Sequence, residues 1–176
     1  MDNLPALQPG QLHLILAARA AQHQLVNALI ARRALAGPVR VLDGGNCFKG
    51  HHLARELRRG TPDLKVALEN VHMARAFTCY QVVTLLNSTP EVPFPTMVLE
   101  MLSTFYDESV PLVERQRLLE TCLVQLHRLS RQASVAVSVS PPSDEASSTL
   151  LSALEETADH IWHLEPQLPP AQLSWF

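Results

Sequence analysis

The sequence predicts a three-layer α/β domain: a mostly parallel central sheet with helices on both faces. Two observations carry this. Short apolar runs alternate with segments of helical period along the chain, an order that calls for crossover connections and parallel strands. The runs Leu12–Ala17 and Thr96–Leu102 are almost continuously apolar, as strands buried on both faces are. With 176 residues, 47% hydrophobic and 18% charged, one globular core is expected. We place the domain at residues 1–165 and a Pro/Gln-rich tail at 166–176, with no internal repeat. About six strands and five helices are expected.

Leu12–Ala17 reads as the first strand. An alanine-rich helix over 20–36 follows, with apolar positions at Leu25, Ala28, Leu29 and Leu35, and Gly37-Pro38 stops it. The strand Val39–Leu42 runs into the turn cluster Asp43-Gly44-Gly45-Asn46. A helix is predicted over 50–59, then a strand over 66–76. Thr78-Cys79-Tyr80-Gln81 has the form of a capping box and opens a helix to about residue 88. After a loop marked by Pro90, Pro93 and Pro95, a strand over 96–102 contains one carboxylate, Glu100. The longest helix is expected at 111–132, with Pro111 in its first turn. Its apolar stripe is Leu119, Cys122, Leu123, Leu126 and Leu129. A strand over 134–139, a helix near 148–157 and a strand at 160–164 complete the domain. Trp175 and Phe176 end the chain and are expected to fold back on the domain.

Charge is unevenly distributed. Residues 1–75 hold ten Lys/Arg against five Asp/Glu, whereas residues 76–176 hold four against twelve, and the net charge is −3. Only the first half has cations enough to contact a nucleic-acid backbone; solvated helix faces are the plainer reading. The three cysteines are widely spaced and define neither a disulfide framework nor a metal motif. No apolar run is long enough for a bilayer span, and the first residues lack a signal-peptide pattern. An intracellular location, cytoplasmic or nuclear, is therefore expected.

The ordered signals between Val39 and Ser140 resemble the ATPase core of RecA/RadA-type recombinases. Val41-Leu42-Asp43-Gly44-Gly45-Asn46-Cys47-Phe48 stands where that family has a strand ending in an acidic turn. Asn70-Val71-His72-Met73-Ala74-Arg75-Ala76-Phe77-Thr78 is similar to its alanine-arginine-alanine-phenylalanine strand. Met97-Val98-Leu99-Glu100 resembles the Walker B strand, and Ala133–Pro142 falls where the family places a DNA-facing loop. The resemblance implies a RecA-like fold whose remnant nucleotide-site positions are Arg19, His23, Gln24, Asp43, Gly45 and Glu100. Arg55, Arg58, Arg59, Ser140 and Ser143 are the candidate DNA or partner contacts.

The departures from that family are chemical. A phosphate loop needs glycines that expose backbone N–H groups, with Lys and Ser/Thr for the terminal phosphate and Mg²⁺. Residues 17–24 read Ala-Ala-Arg-Ala-Ala-Gln-His-Gln and contain none of these. The family's catalytic glutamate falls at Gly45, which has no base to offer. Its Walker B aspartate is replaced by Glu100. A non-catalytic protein is therefore expected, with no cofactor or metal. It would assemble with a protein partner, such as a related ATPase or another copy of itself, in DNA repair or recombination. A scaffold subunit with no DNA role, and an atypical ATPase using Asp43 and Glu100 as Mg²⁺ ligands, are the alternatives.

Two local patterns imitate sites. Gly45–Gly50 has the glycine spacing of a phosphate loop but continues into His51-His52 rather than Lys and Ser/Thr, so a structural turn is expected. The pairs His51/His52 and His160/His163 lack the Cys or carboxylate partners of a zinc site.

Overall fold

A computed structural model describes residues 6–164. It contains a six-stranded, wholly parallel sheet in the order β3-β2-β4-β5-β1-β6. The strands are β1 (Leu12–Ala17), β2 (Val39–Asp43), β3 (Val71–Arg75), β4 (Thr96–Leu99), β5 (Val135–Val139) and β6 (His160–Leu164). The helices are α1 (Arg19–Ala36), α2 (Gly50–Leu57), α3 (Leu64–Glu69), α4 (Cys79–Ser88), α5 (Leu112–Ser130) and α6 (Glu145–Thr157). The three-layer α/β architecture read from the sequence is the one observed.

The two-residue period of the strands sorts their side chains between two cores. On one face Ile15, Val39, Val41, Met97, Leu99 and Ala136 pack against α1, α2 and α3. On the other, Leu12, Leu14, Leu42, Val98, Val135 and Val137 pack against α4, α5 and α6. The four inner strands are buried almost throughout, which explains their continuous apolar runs, while β3 is half-buried and β6 largely exposed.

Three expectations need correction. The strand predicted over 66–76 is a helix and a strand. Asp63 caps α3 by accepting from the Val66 N–H at 3.2 Å, and β3 begins only at Val71. The apolar residues Val66 and Leu68 are exposed on this short helix. The strand predicted over 96–102 stops at Leu99, because Glu100 adopts the left-handed backbone (φ 46°, ψ 47°) and a 3₁₀ turn runs over Met101–Phe105. Finally, α6 starts at Glu145 rather than near 148; Asp144 caps it by accepting from the Ser147 N–H at 2.7 Å.

The capping box at α4 forms in altered geometry. Thr78 Oγ1 accepts from the Gln81 N–H (3.2 Å), but Gln81 Oε1 reaches past Thr78 to the Phe77 N–H (2.7 Å). The tail at 166–176, with Trp175 and Phe176, lies outside the described residues.

His13 on β1 is 1% exposed, its ring stacked on His160 of β6 with centroids 5.3 Å apart. Its Nε2 accepts from the Gln8 N–H at 3.1 Å, and its Nδ1 has no partner. Burial lowers its pKa; the Gln8 bond and the Asp159 charge raise it, and His160 and Arg33 lower it. The neutral form therefore belongs to the folded state, and unfolding lets the ring take up a proton near its ordinary pKa of 6.5. Stability from this residue is present above pH 6.5 and declines as pH falls below it. Urea midpoints measured at pH 8 and pH 5.5 check this. We expect the drop between them to be smaller in His13→Gln, which keeps an acceptor for Gln8 and cannot titrate.

Candidate functional site

In open parallel sheets, ligand sites form outside the carboxyl ends of the strands, where neighbouring crossovers leave toward opposite faces. Here β1 leads into α1 on one face and its neighbour β5 leads into α6 on the other. The ends of β1, β2, β4 and β5 accordingly hold most positions that the sequence singles out.

Asp43 closes β2 and is fully buried. Its Oδ1 accepts from the backbone N–H groups of Gly45 (3.3 Å) and Cys47 (3.0 Å), and its Oδ2 from that of Phe48 (3.0 Å). The Cys47 thiol also donates to Oδ1 at 3.5 Å. Directly across the parallel ladder stands Arg75, whose Nε donates to Oδ2 at 2.9 Å while its Nη2 donates to the Phe48 carbonyl at 3.1 Å. A buried carboxylate is tolerable only when its charge and lone pairs are met, and these donors meet them. The loop 44–49 is wound around the carboxylate, with Asn46 in the left-handed region (φ 50°).

Glu100 is engaged by fewer bonds. Its backbone N–H donates to Ser138 Oγ (3.1 Å), and its Oε1 accepts from the Ser140 hydroxyl (2.7 Å). The Tyr106 hydroxyl donates to the Ser140 carbonyl at 3.2 Å; burial, then the charges of Glu100 and Asp144, push its pKa up. Glu100 thus ties the end of β4 to the end of β5. It also fixes its neighbour: a Cβ on Gly45 would collide with Glu100 Cβ and lie 3.1 Å from its Cγ. Only a residue without a side chain fits there. The resemblance places a catalytic glutamate at this position, and the packing has no room for one.

At the end of β1 no loop exists. One residue, Ala18, separates Ala17 from the first helical residue, Arg19. Ala18 provides no side-chain cap; instead the buried Gln22 amide folds back to donate to the Ala17 carbonyl at 3.1 Å. A small cavity of about 10 Å³ beside this junction is lined by Gln22, His23, Cys47, Phe48, Leu99 and Ser138 among others. That is space for about one water molecule. His23 Nε2 is buried without a partner, while Arg19 and Gln24 point to solvent. Burial and the nearby Asp43 charge push the Cys47 thiol up to about 12, so at neutral pH it carries its proton and is no nucleophile.

The candidate contact residues do not converge. Arg55 and Arg58 are exposed on and just after α2, and Arg59 beside them is bound to Glu56 at 3.0 Å. Ser140 follows β5 with its hydroxyl turned inward to Glu100, and Ser143 is exposed in the turn before α6. Helices α2 and α6 lie on opposite faces of the sheet. The rings of His51 and His52 meet edge to face, with centroids 4.2 Å apart. Among the described residues, no three His, Cys, Asp or Glu converge as a metal would require.

Sequence reading missed Arg75 as the counter-ion of Asp43, Ser138 as the acceptor for the Glu100 N–H, and Gln22 as the donor to the Ala17 carbonyl. The signal for Arg75 was available: Asp closes one strand and Arg closes the next, in segments expected to run parallel. Removing Arg75 leaves Asp43 its three backbone donors but strips its only cation among the described residues. For Arg75→Ala we expect a loss of about 1.5–3 kcal/mol in denaturant unfolding, the value of hydrogen bonds to a charged group. Arg75→Lys should recover only part of it, since one ammonium cannot reproduce the guanidinium's two directed bonds.

No protein-family model matches this chain, and no curated protein matches it in sequence. No helix among the described residues is long and apolar enough to cross a membrane.

Proposed function

We propose that this protein is a non-catalytic relative of the RecA/RadA-type recombinases and acts in DNA repair or recombination by assembling with a protein partner. One observation supports the non-catalytic part of this reading above others: both acids at the strand ends are already engaged. Asp43 is surrounded by five donor groups and Glu100 braces β4 against β5. Asp43 could not hold Mg²⁺ or orient a water without dismantling the loop wound around it, and Glu100 is buried with one carboxylate oxygen bonded to Ser140. The β1–α1 junction favours the same reading, because a cradle for a triphosphate needs several residues of exposed backbone and one residue separates the two elements.

The link to recombination rests on the ordered likeness between Val39 and Ser140. In its favour, the matched segments Asp43–Phe48, Asn70–Thr78 and Met97–Glu100 meet in one place, with Asp43 bonded to Arg75 and Gly45 packed on Glu100. Catalysis is gone in this reading, and the fold is kept for its surface.

The test adds the purified chain to the recombinase of its own cell and follows the recombinase's turnover of ATP on single-stranded DNA. We expect the chain alone to turn over no ATP and to change the recombinase's rate when present in equimolar amount. An unchanged rate together with no co-sedimentation would overturn the proposal. A mobility shift on single-stranded DNA at two salt concentrations separates direct DNA contact from partner contact, since phosphate contacts weaken steeply with salt.

A further inference from the structure

The outward surface of α5 carries a pattern of its own. Its exposed positions are Val113, Arg117, Glu120, Val124 and His127, and the exposed Arg131 follows at its close. They lie alternately four and three residues apart, the heptad spacing of a helix that pairs with another. Single apolar residues at a surface need no explanation. Here two valines, poor helix formers in their own right, stand 78% and 63% exposed on one line, three turns apart. Helix α5 is also the middle one of its layer: α4 crosses from β3 to β4, α5 from β4 to β5 and α6 from β5 to β6. Its neighbours expose small polar side chains, such as Thr84 on α4 and Ser148, Thr149 and Ser152 on α6, which leave α5 open to a partner helix.

The stripe is complementary to itself. Laid antiparallel on a second copy, about a two-fold axis passing between Leu118 and Leu119, it sets Val113 opposite the partner's Val124 and Arg117 opposite the partner's Glu120. Symmetry forms each pair twice, and both lie on the heptad seam. The charges are available for this. Arg117 donates to Glu114 through Nε and Nη2 (2.8 and 2.7 Å), which leaves its Nη1 without a partner among the described residues. Glu120 has no ion pair among them. On a larger scale, Asp107, Glu108 and Glu114 make the amino end of α5 acidic, and Arg128 and Arg131 make its carboxyl end basic. Antiparallel helices set acid against base, whereas a parallel pair sets like against like.

We infer that the protein forms a two-fold dimer by packing α5 antiparallel against α5 of a second copy. The valines supply the apolar contact. Exposed ion pairs add little affinity singly, so the charges chiefly fix register and direction. An isologous contact of this kind uses the same patch on both copies and stops at the dimer. The inference goes beyond the proposed function and does not need it: it requires neither a recombinase nor DNA.

The test is sedimentation velocity of the full chain over a concentration series in low salt. Arg117→Glu and Glu120→Arg each turn two attractive pairs per dimer into repulsive ones; both positions are exposed, and circular dichroism checks that each variant folds. We expect a monomer–dimer equilibrium in the wild type that either change weakens about tenfold or more. An equimolar mixture of the two variants restores both pairs, as does the double variant Arg117→Glu/Glu120→Arg, and each should associate as the wild type does. A short bis-maleimide reagent reads the direction. Val113→Cys mixed with Val124→Cys should cross-link above the wild-type background. Val113→Cys alone should not, because its two copies stand about 16 Å apart along the helix axis. A wild type that stays monomeric or grows beyond a dimer, association that ignores the charge reversals, or cross-linking of Val113→Cys with itself overturns the inference.

Discussion

Replacing Asp43 by alanine should destabilise the fold by about 3–5 kcal/mol, the range found when one partner of a buried ion pair is removed. The cause is what the carboxylate leaves behind. Three backbone N–H groups and the Arg75 guanidinium all point at it, and a methyl group satisfies none. Asp43→Asn keeps the shape and one acceptor oxygen but presents an NH₂ group to donors already crowded there, so it should recover only part of the loss. Denaturant unfolding of the two variants checks the order. If Asp43→Ala lost less than 1 kcal/mol, the carboxylate would not be organising the loop, and a ligand role would regain ground. Because the loop 44–49 and the end of β3 both hang on this side chain, the opening should be local before it is global. Amide exchange at Gly45, Cys47 and Phe48 should rise first in Arg75→Ala as well.

Gly45→Ala is the second large effect. The added Cβ meets Glu100 Cβ, on a residue whose backbone is itself confined to the left-handed region, so neither partner moves away freely. Overpacking of this kind costs about 1–3 kcal/mol. Its partner test is Glu100→Gly, which removes the colliding atom and relieves the left-handed backbone, while losing the bond to the Ser140 hydroxyl. Glu100→Ala would not serve, because alanine keeps the Cβ. In the double variant the clash is absent, so the losses should fall short of the sum of the single ones by at least 1 kcal/mol. Strict additivity would mean that the two residues do not touch.

How far the sequence revealed this arrangement depends on the kind of signal. The inner strands β1, β2, β4 and β5 were legible because burial on both faces leaves a continuous apolar run, although at β4 the run carries on past the strand into the 3₁₀ turn at Met101. The helices α1, α4 and α5 were legible from period and punctuation. Residues 64–69 misled because Val66 and Leu68 are apolar, two apart as in a strand, and yet exposed on a helix that Asp63 caps. Glu100 misled for a different reason. An acid at the end of an apolar run reads as a ligand, and nothing local announces that its backbone turns left-handed or that two serines forty residues away will hold it. Gly45 carried the same ambiguity: a missing side chain reads as a lost function, while in the fold it is a requirement of Glu100. The site was thus legible as a set of positions and not as a set of roles, because the roles lie in contacts between strands distant in sequence.

The central claim is that the strand-end acids and the abrupt β1–α1 junction hold the fold and do not hold a nucleotide. Thermal melting with and without Mg²⁺-ATP tests it most directly, since a ligand bound only to the native state must stabilise it. Ligand at a hundred times its dissociation constant would add about 2.7 kcal/mol, or roughly 5–10 °C for a chain of this size. The account predicts superimposable melts at millimolar Mg²⁺-ATP. A saturable rise of several degrees, lost on Arg19→Ala, would contradict it.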